Sequence, residues 1–395
     1  MCRSIINPLK TPAPFWTQPE YSAFENDDIE AFHRSISGYE PTPLVSLSSL
    51  ARHLGVRRLL VKDESRRFEL KAFKAMGASY AIYRYIKQVW EKQFGVQFEL
   101  TNLCKPDLLE PLHLMPFCTA TDGNHGRAVA WFARLLGQKA YIYVPAGTVR
   151  ARMDNIRNEG AVVVEVDGDY DAAVERVAED AERNGWTIIS DTSYPGYTLI
   201  PAFIMAGYTT MFREIDNQLS DLRVDPPTHI IIQSGVGSFA AAAAWYYHRY
   251  HSEKPPALIS VEPTEADCLL ESVCSGDVTS SKGSQQTIMA GLNCATPSLI
   301  AWPLIRDRFS LFISIPDNYA KRAMRSFFYP DNEDPRIISG ESGAAGLAGL
   351  IALQSSQPLA QAKRAVDLGP NSTVLLFNTE GDTDPEHFRE VTSKS

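Results

Sequence analysis

From about residue 114 the chain alternates short, nearly continuous apolar runs with stretches of helical period, and this alternation narrows the possible folds more than any other feature. LMPFCTA (114–120) predicts a strand, Asn124 to Leu136 a helix stopped by Gly137, KAYIYV (139–144) a strand and Val149 to Asn158 a helix. AVVVEV (161–166) then predicts a strand, Tyr170 to Arg183 a helix and WTIIS (186–190) a strand. Strands that are apolar on both faces and separated by helices belong to a buried, mostly parallel sheet with helices packed over it. The pattern resumes with strands at THIIIQ (228–233), PALISVE (256–262), SLFISI (310–315) and STVLLFN (372–378). Its helices are expected over Ser238 to Tyr250 and over the Ala/Gly-rich stretch from about Ser342 to Leu353. Two α/β layers of similar style are therefore expected, with the Pro- and Tyr-rich stretch around Asp191 to Pro201 as the exit from the first. Residues 1–40 carry few periodic signals and are expected to wrap the surface, and 91–113 reads as an insertion or loop.

A chain of 395 residues has room for two such layers. The net charge is 38 − 47 = −9, and no basic run is present, so nucleic acid is not an expected partner. No segment approaches the roughly 18 consecutive apolar residues of a membrane span. The first residues, MCRSIINPLKTPAPFW, place prolines and polar groups where a signal peptide needs an apolar run, and a cytoplasmic location is expected. The six cysteines form no C-x-x-C pair and the eight histidines no H-E-x-x-H, so no metal site is expected.

Four stretches carry side chains suited to chemistry. Lys74 lies in AFKAMGA (72–78), just inside a predicted helix. A buried lysine loses its charge easily, and its neutral amine can form a Schiff base; the plainer alternative is a solvated lysine flanking a core face of Phe73, Met76, Gly77 and Tyr80. TATDGNHG (119–126) joins a strand to a helix: Gly123 permits a tight turn, Thr121 and Asp122 are good helix caps, and Asn124 can face a ligand. Free amides at such a helix start suit a carboxylate or phosphate. His125 reads as a packed residue, or as one that supports the residues meeting the ligand, rather than as a catalytic group. Asp191 ends the WTIIS strand, where open α/β sheets bind ligands.

QSGVGSFA (233–240) follows a strand, opens a helix and matches G-x-G-x-x-A, with Glu262 about 25 residues on. This is the pattern of a dinucleotide-binding turn, and it raises a nicotinamide-dependent oxidoreductase as a rival function. A single phosphate held by the loop and by the Ser234 and Ser238 hydroxyls fits the same residues. ISGESG (338–343) and FNTEGDTD (377–384) are further candidate pocket walls.

Taken in order, these elements resemble the fold-type II pyridoxal-phosphate enzymes, the group of tryptophan synthase β and the serine/threonine dehydratases. The resemblance covers roughly residues 40–385. Within the group the chain is similar to the diaminopropionate ammonia-lyase family, through ATDGNHGR (120–127), GYTLIPAFIMAGYTTM (196–211), TIMAGLNC (287–294), DPRIISGESGA (334–344) and TEGDTD (379–384). The dinucleotide reading explains only one of these phrases.

The resemblance implies pyridoxal 5'-phosphate as cofactor and α,β-elimination of 2,3-diaminopropionate to pyruvate and ammonia as the reaction; a serine/threonine dehydratase or β-replacement enzyme is the alternative. It implies two α/β domains with the site between them: 1–80 plus 195–395 as the large cofactor-binding domain, and 81–194 as the small one. Lys74 would carry the cofactor beside Phe73, Asn124 would bond the ring oxygen, and Ser234, Gly235, Val236, Gly237 and Ser238 would cradle the phosphate. Glu341 and either Asn378 or Thr379 would complete the cofactor site, one of the latter two meeting the pyridine nitrogen. The amides of Ala120, Thr121 and Gly123 would grip the substrate carboxylate. Asp122 stands where the dehydratases usually carry Ser, and would serve one face of the substrate while Lys74 serves the other; Asp191 would position the β-amino group. Cys268 and Cys294 match a cysteine pair of the family, which would form a disulfide or a redox-sensitive pair. A homodimer acting on a small amino acid is likewise implied. The chain departs from the family pattern at Lys71, where Asn is usual; two neighbouring amines would lower each other's pKa unless Lys71 points outward.

Overall fold

The computed structural model describes residues 1–11, 16–103, 116–121, 123–331 and 333–393. Among the described residues eleven strands form two sheets. They are β1 (Arg3–Ile6), β2 (Leu44–Ser46), β3 (Arg58–Asp63), β4 (Phe117–Ala120), β5 (Ala140–Pro145), β6 (Val162–Val166), β7 (Thr187–Ile188), β8 (His229–Gln233), β9 (Ala257–Pro263), β10 (Phe309–Ile315) and β11 (Thr373–Asn378). The larger sheet has seven strands in the order β1-β10-β9-β8-β11-β3-β2, and the smaller has four in the order β6-β5-β4-β7. All pairs in the small sheet are parallel. In the large sheet the five inner strands are parallel and the two edge strands antiparallel.

These are the two mostly parallel α/β layers that the alternating pattern implied, and the arrangement agrees with the fold-type II architecture that the resemblance implied. β8 and β11 are buried at every residue, which is why their sequences run apolar without a period of two. The sequence pattern missed both edge strands of the large sheet and its inner strand β3. β1 lies within the stretch expected to wrap the surface, yet Arg3 to Ile6 pair with β10 from Ser314 to Leu311. Four residues, three exposed and one half-buried, carry too little pattern to be read. β7 is only two residues long, shorter than WTIIS suggested. The 91–113 stretch begins as helix: Lys74–Phe94 continues to Phe94 and stops at Gly95, in the left-handed conformation. Residues 104–113 lie outside the described residues.

The least legible element is the Leu199–Asp221 helix, which is buried on nearly all sides from Ile200 to Ile215 and so lacks a polar face. It crosses the Lys74–Phe94 helix at close range. A Cβ on Gly207 would lie 2.5 Å from the Met76 carbonyl oxygen, and one on Gly77 would lie 2.6 Å from the Tyr208 ring. Small residues on both helices bring the backbones together and fix where Lys74 starts. A buried ion-pair network adds to this. Glu214 on the Leu199–Asp221 helix binds Lys62 at 2.6 Å and Arg67 at 2.8 Å, and Arg67 also binds Glu64 at 2.8 Å. The segment that leads into Lys74 is thus anchored to the central helix by charges that cannot separate without being stranded out of water. Among the described residues no helix is long and apolar enough to cross a membrane.

Candidate active site

A cavity between the two sheets is lined by Phe73, Lys74, Ala120, Thr121, Asn124, His125, Tyr170 and Asp191 on one side. Residues 233–240, Gly291 to Cys294, Ser342, Thr379 and Glu380 line the other. Lys74 is the first residue of its helix, reached through a backbone that winds left-handed at Phe68, Glu69 and Lys71. Three non-glycine residues with positive φ in four positions are uncommon, and such strain gathers where a structure must aim a functional side chain. Lys71 itself turns outward: it is 47 % exposed and bonds Asp382 at 2.7 Å, so it does not crowd Lys74.

The Lys74 ammonium is paired with the Asp191 carboxylate. Burial works to strip the Lys74 charge, but the adjacent Asp191 carboxylate outweighs it and holds the amine above its usual range. For Asp191, burial works upward, but the Lys74 ammonium wins and brings the carboxyl down to about 2. The expectation that burial alone would neutralise Lys74 is therefore corrected: with Asp191 beside it, the amine stays charged until its proton is taken. Phe73 packs its ring against Tyr208 and Phe239, with centroids 4.9 and 4.8 Å away.

The strand-to-helix turn after β4 is partly as expected. The Thr121 hydroxyl caps the Asn124–Leu135 helix by accepting from the amides of Gly123 at 3.0 Å and Gly126 at 3.2 Å. The Thr121 amide is spent on the Tyr143 carbonyl at 2.9 Å. Two of the three amides expected to grip a carboxylate, those of Thr121 and Gly123, are thus already bonded, and Gly123 does not line the cavity. Asp122 lies outside the described residues. Asn124 lines the cavity, and its side-chain amide donates to Glu380 at 2.5 Å.

The 234–238 loop joins β8 to the Ser238–Tyr250 helix and forms one end of the cavity. Gly237 has φ +96°, and a Cβ there would lie 2.6 Å from Ile305 Cδ1; only glycine fits. A Cβ on Gly235 would lie 2.8 Å from Cys294 Sγ. The Ser238 hydroxyl donates to the Asp191 carbonyl at 2.6 Å, and the Ser234 hydroxyl accepts from Ser260 at 2.9 Å. Cys268 is a buried thiol whose Sγ lies 3.7 Å from the Gly235 carbonyl; it is not joined to Cys294.

Glu262 decides against the dinucleotide reading. Its carboxylate accepts from the amides of Leu269 at 2.7 Å and Leu270 at 2.9 Å and caps the Cys268–Ser275 helix. It is fully buried, burial pushes its carboxyl well above the usual range, and it does not line the cavity. Of the acidic residues that follow β9, Glu265 bonds Ser284 and Asp267 bonds Arg3, and neither lines the cavity.

Two further expectations shift. Asn378 is buried behind the wall, donating to Asp63 at 2.7 Å and to the Ile338 carbonyl at 2.9 Å, whereas Thr379 lines the cavity and accepts from Gln233 at 3.1 Å. Glu341 lies away from the cavity, paired with His387, and burial raises its carboxyl. Glu380 is the carboxylate that faces the cavity instead, taking Asn124 on one oxygen and the Ser342 amide on the other at 3.0 Å. TEGDTD marked the turn, but the choice of carboxylate depends on which way the strand end rotates, and no local sequence signal sets that. Gln233, which bonds Thr379 and the Phe377 carbonyl at 2.9 Å, was likewise not singled out.

The donor set suits a phosphorylated carbonyl compound: a lysine amine at one end, a glycine loop at a helix N-terminus at the other, and a hydroxyl on the wall between. Residues 36–369 match the family described as pyridoxal-phosphate dependent enzyme. The diaminopropionate ammonia-lyase of Escherichia coli (strain K12) is 40 % identical over 376 residues, covering 95 % of this chain and 93 % of that protein. The crystal structure of the Escherichia coli diaminopropionate ammonia lyase in complex with D-serine superposes with a TM-score of 0.88 at 38 % identity, covering 99 % of this chain and 97 % of that one. Its complex with an aminoacrylate-PLP azomethine reaction intermediate gives 0.87 at the same identity and coverage.

Proposed function

Because the chain belongs to the diaminopropionate ammonia-lyase family of pyridoxal-phosphate-dependent enzymes, we propose a division of labour in which Lys74, Asp191 and Asp122 move the protons of the elimination. The enzyme is a carbon–nitrogen lyase that uses pyridoxal 5'-phosphate to eliminate ammonia from 2,3-diaminopropionate, leaving pyruvate and a second ammonia. The bound cofactor supplies a conjugated ring that takes up the electron pair left when the α-proton departs.

Lys74 is the attachment point for the cofactor aldehyde, and the residues 234–238 with the start of the Ser238–Tyr250 helix hold its phosphate. Asn124 serves the ring oxygen. Thr379 is the hydroxyl for the pyridine nitrogen, since it lines the cavity and Asn378 is spent on Asp63 and Ile338. Ala120 and Asn124, which line the cavity, hold the substrate carboxylate, since the Thr121 and Gly123 amides are already bonded. Lys74 removes the α-proton from one face, and Asp122 serves the opposite one. Asp191 takes the proton that Lys74 must lose before it can act, and delivers a proton to the departing β-nitrogen. The large domain is 1–80 plus 195–395 and the small one 81–194, a division supported by the separate residue ranges of the two sheets. A cytoplasmic homodimer belongs to the same proposal and rests on the family likeness and the composition; light scattering on the purified protein tests the stoichiometry.

The pairing of Lys74 with Asp191 on the cavity wall carries this reading. Pyruvate release from D- and L-diaminopropionate by wild type, Lys74→Ala, Asp191→Asn and Asp122→Asn tests it. Lys74→Ala is expected to be inactive, and each aspartate variant to lose about 100-fold or more. Loss on only one enantiomer in Asp122→Asn assigns that face. Faster turnover of serine or threonine by the wild type would instead place the enzyme with the dehydratases.

A further inference from the structure

His125 is the second residue of the Asn124–Leu135 helix, is 5 % exposed and has its ring on the cavity wall. Its Nε2 lies 2.8 Å from the Ile189 carbonyl oxygen. A carbonyl can only accept, so Nε2 carries a proton, and the neutral ring presents a bare lone pair at Nδ1. Nδ1 is buried, has no hydrogen-bond partner among the described residues, and lies 4.0 Å from Asp191 Oδ2. That same carboxylate oxygen receives the Lys74 ammonium.

Two buried acceptors that face each other are costly unless a proton comes between them. While Lys74 is charged, its ammonium compensates Asp191. Once Lys74 gives up its proton, that compensation is gone, and beside the Lys74 amine itself the imidazole lone pair is the buried base closest to Asp191. We propose that His125 is a positioning and proton-holding residue for Asp191, sharing with it the proton that Lys74 releases. As the O–H bond of protonated Asp191 breaks, an N–H bond forms at Nδ1, leaving an imidazolium beside a carboxylate. The reverse transfer returns the proton to Asp191, from which the departing nitrogen takes it. No other reactant is needed, and the Nε2–H bond to Ile189 holds the ring in place throughout.

The charged and titratable groups that face this pair are Lys74 at its helix start, Asp191 in its turn, the Tyr208 hydroxyl of the Leu199–Asp221 helix, the Tyr197 hydroxyl after the Asp191 turn and, next to Lys74, the Cys294 thiol. Burial is the largest influence on His125 and lowers its pKa; Asp191 raises it and Lys74 lowers it, with a net fall below the usual range. The ring is therefore neutral near pH 7 and able to accept.

The inference rests on the role given to Asp191 above, and the test separates the two. Histidine-labelled, cofactor-free protein is followed by 15N NMR. Wild type should show His125 as the Nε2–H tautomer, and Asp191→Asn should move its titration to lower pH. In the holoenzyme, His125→Gln keeps an amide to bond Ile189 but lacks the base; pyruvate formation should fall at least about tenfold, with one ionisation missing from its pH profile. An Nδ1–H tautomer, a titration unmoved in Asp191→Asn, or His125→Gln with wild-type rate and pH profile overturns the proposal. Full turnover by Asp191→Asn would instead remove the role of Asp191 itself.

Discussion

The Ser238 hydroxyl donates to the backbone carbonyl of Asp191 at 2.6 Å, tying the first residue of the loop-capped helix to the carboxylate that faces Lys74. The tie is not isolated. The Ser298 amide donates to the Val236 carbonyl at 2.8 Å, the Ser298 and Ser193 hydroxyls share a bond of 2.7 Å, and the Ser193 hydroxyl accepts from the Ile300 amide at 2.9 Å. The glycine loop and the Asp191 turn are therefore one bonded unit, so a phosphate held in the loop, as proposed, would also fix the proposed acid–base group.

Ser238→Ala should loosen both ends of that unit. A buried neutral hydrogen bond contributes about 1 kcal/mol, so roughly a fivefold loss of cofactor affinity is expected. A fall in the rate of pyruvate release at saturating cofactor should accompany it, because Asp191 is released too. Ser238→Thr, which keeps the hydroxyl, should restore most of both. Cofactor titration by absorbance, followed by a saturating rate, separates the two effects; a loss of affinity with an unchanged saturated rate would show that Asp191 does not depend on the loop.

The Lys74–Asp191 pair should also be visible in the stability of the cofactor-free protein. With side chains only 19 % and 12 % exposed, neither charge is left fully to water if the other is removed. Breaking a buried pair by deleting one partner typically costs about 3–5 kcal/mol, and the exposure here places the expectation at or below the lower end. Lys74→Ala should therefore lower the urea midpoint, and Lys74→Ala/Asp191→Asn should recover part of the loss. Asp191 has its folded pKa depressed to about 2, so its contribution is present above the unfolded carboxyl range and is lost only as pH falls toward 2. The destabilisation of the single variant should be full at pH 7 and shrink in strong acid.

How far the sequence reached can be judged at particular residues. Lys74, Asp191 and the 234–238 loop were placed on the cavity by arguments about strand ends and helix starts, because a buried parallel sheet leaves its ligand-facing turns at one edge. Phase was harder. Asn378 and Thr379 are neighbours, and which of them faces the cavity depends on the exit angle of β11, set by Gln233 and Asp63 from distant parts of the chain. The Leu199–Asp221 helix had little period to find because from Ile200 to Ile215 it has almost no wet side. Glu262 shows the opposite failure: a spacing that fits a nucleotide motif was used to cap a neighbouring helix.

Lys71 is predicted to be replaceable. Its φ of +59° is unfavourable for a long side chain, and its amine bonds Asp382 near the surface, where ion pairs contribute little. Asn enters the left-handed region more readily than Lys. Lys71→Asn should leave the rate of pyruvate formation unchanged and raise stability slightly, by about 0.5 kcal/mol. Thermal unfolding checks it; a clear drop in midpoint would mean that the Asp382 bond holds the turn before Lys74.

His33 should make the fold acid-sensitive well above the carboxylate range. It is fully buried on the Ile29–Ser35 helix, with Nε2 2.9 Å from the Met76 carbonyl and Nδ1 2.8 Å from the Thr210 hydroxyl, and so bridges the two helices that cross beside Lys74. Burial dominates and lowers its pKa from 6.5 to about 4. The unfolded chain therefore takes up this proton first as pH falls, and the folded state is penalised. Stability should be full above about 6.5 and decline between 6.5 and 4 by roughly 1.4 kcal/mol per pH unit from this residue. Urea midpoints measured at intervals from pH 7 to 4.5 should show this slope in wild type. In His33→Gln the protein should be weaker at pH 7 but should lose less stability over the same interval. Parallel slopes in the two proteins would show that His33 is not the group taking up the proton, and would move the origin of acid unfolding to other buried bases.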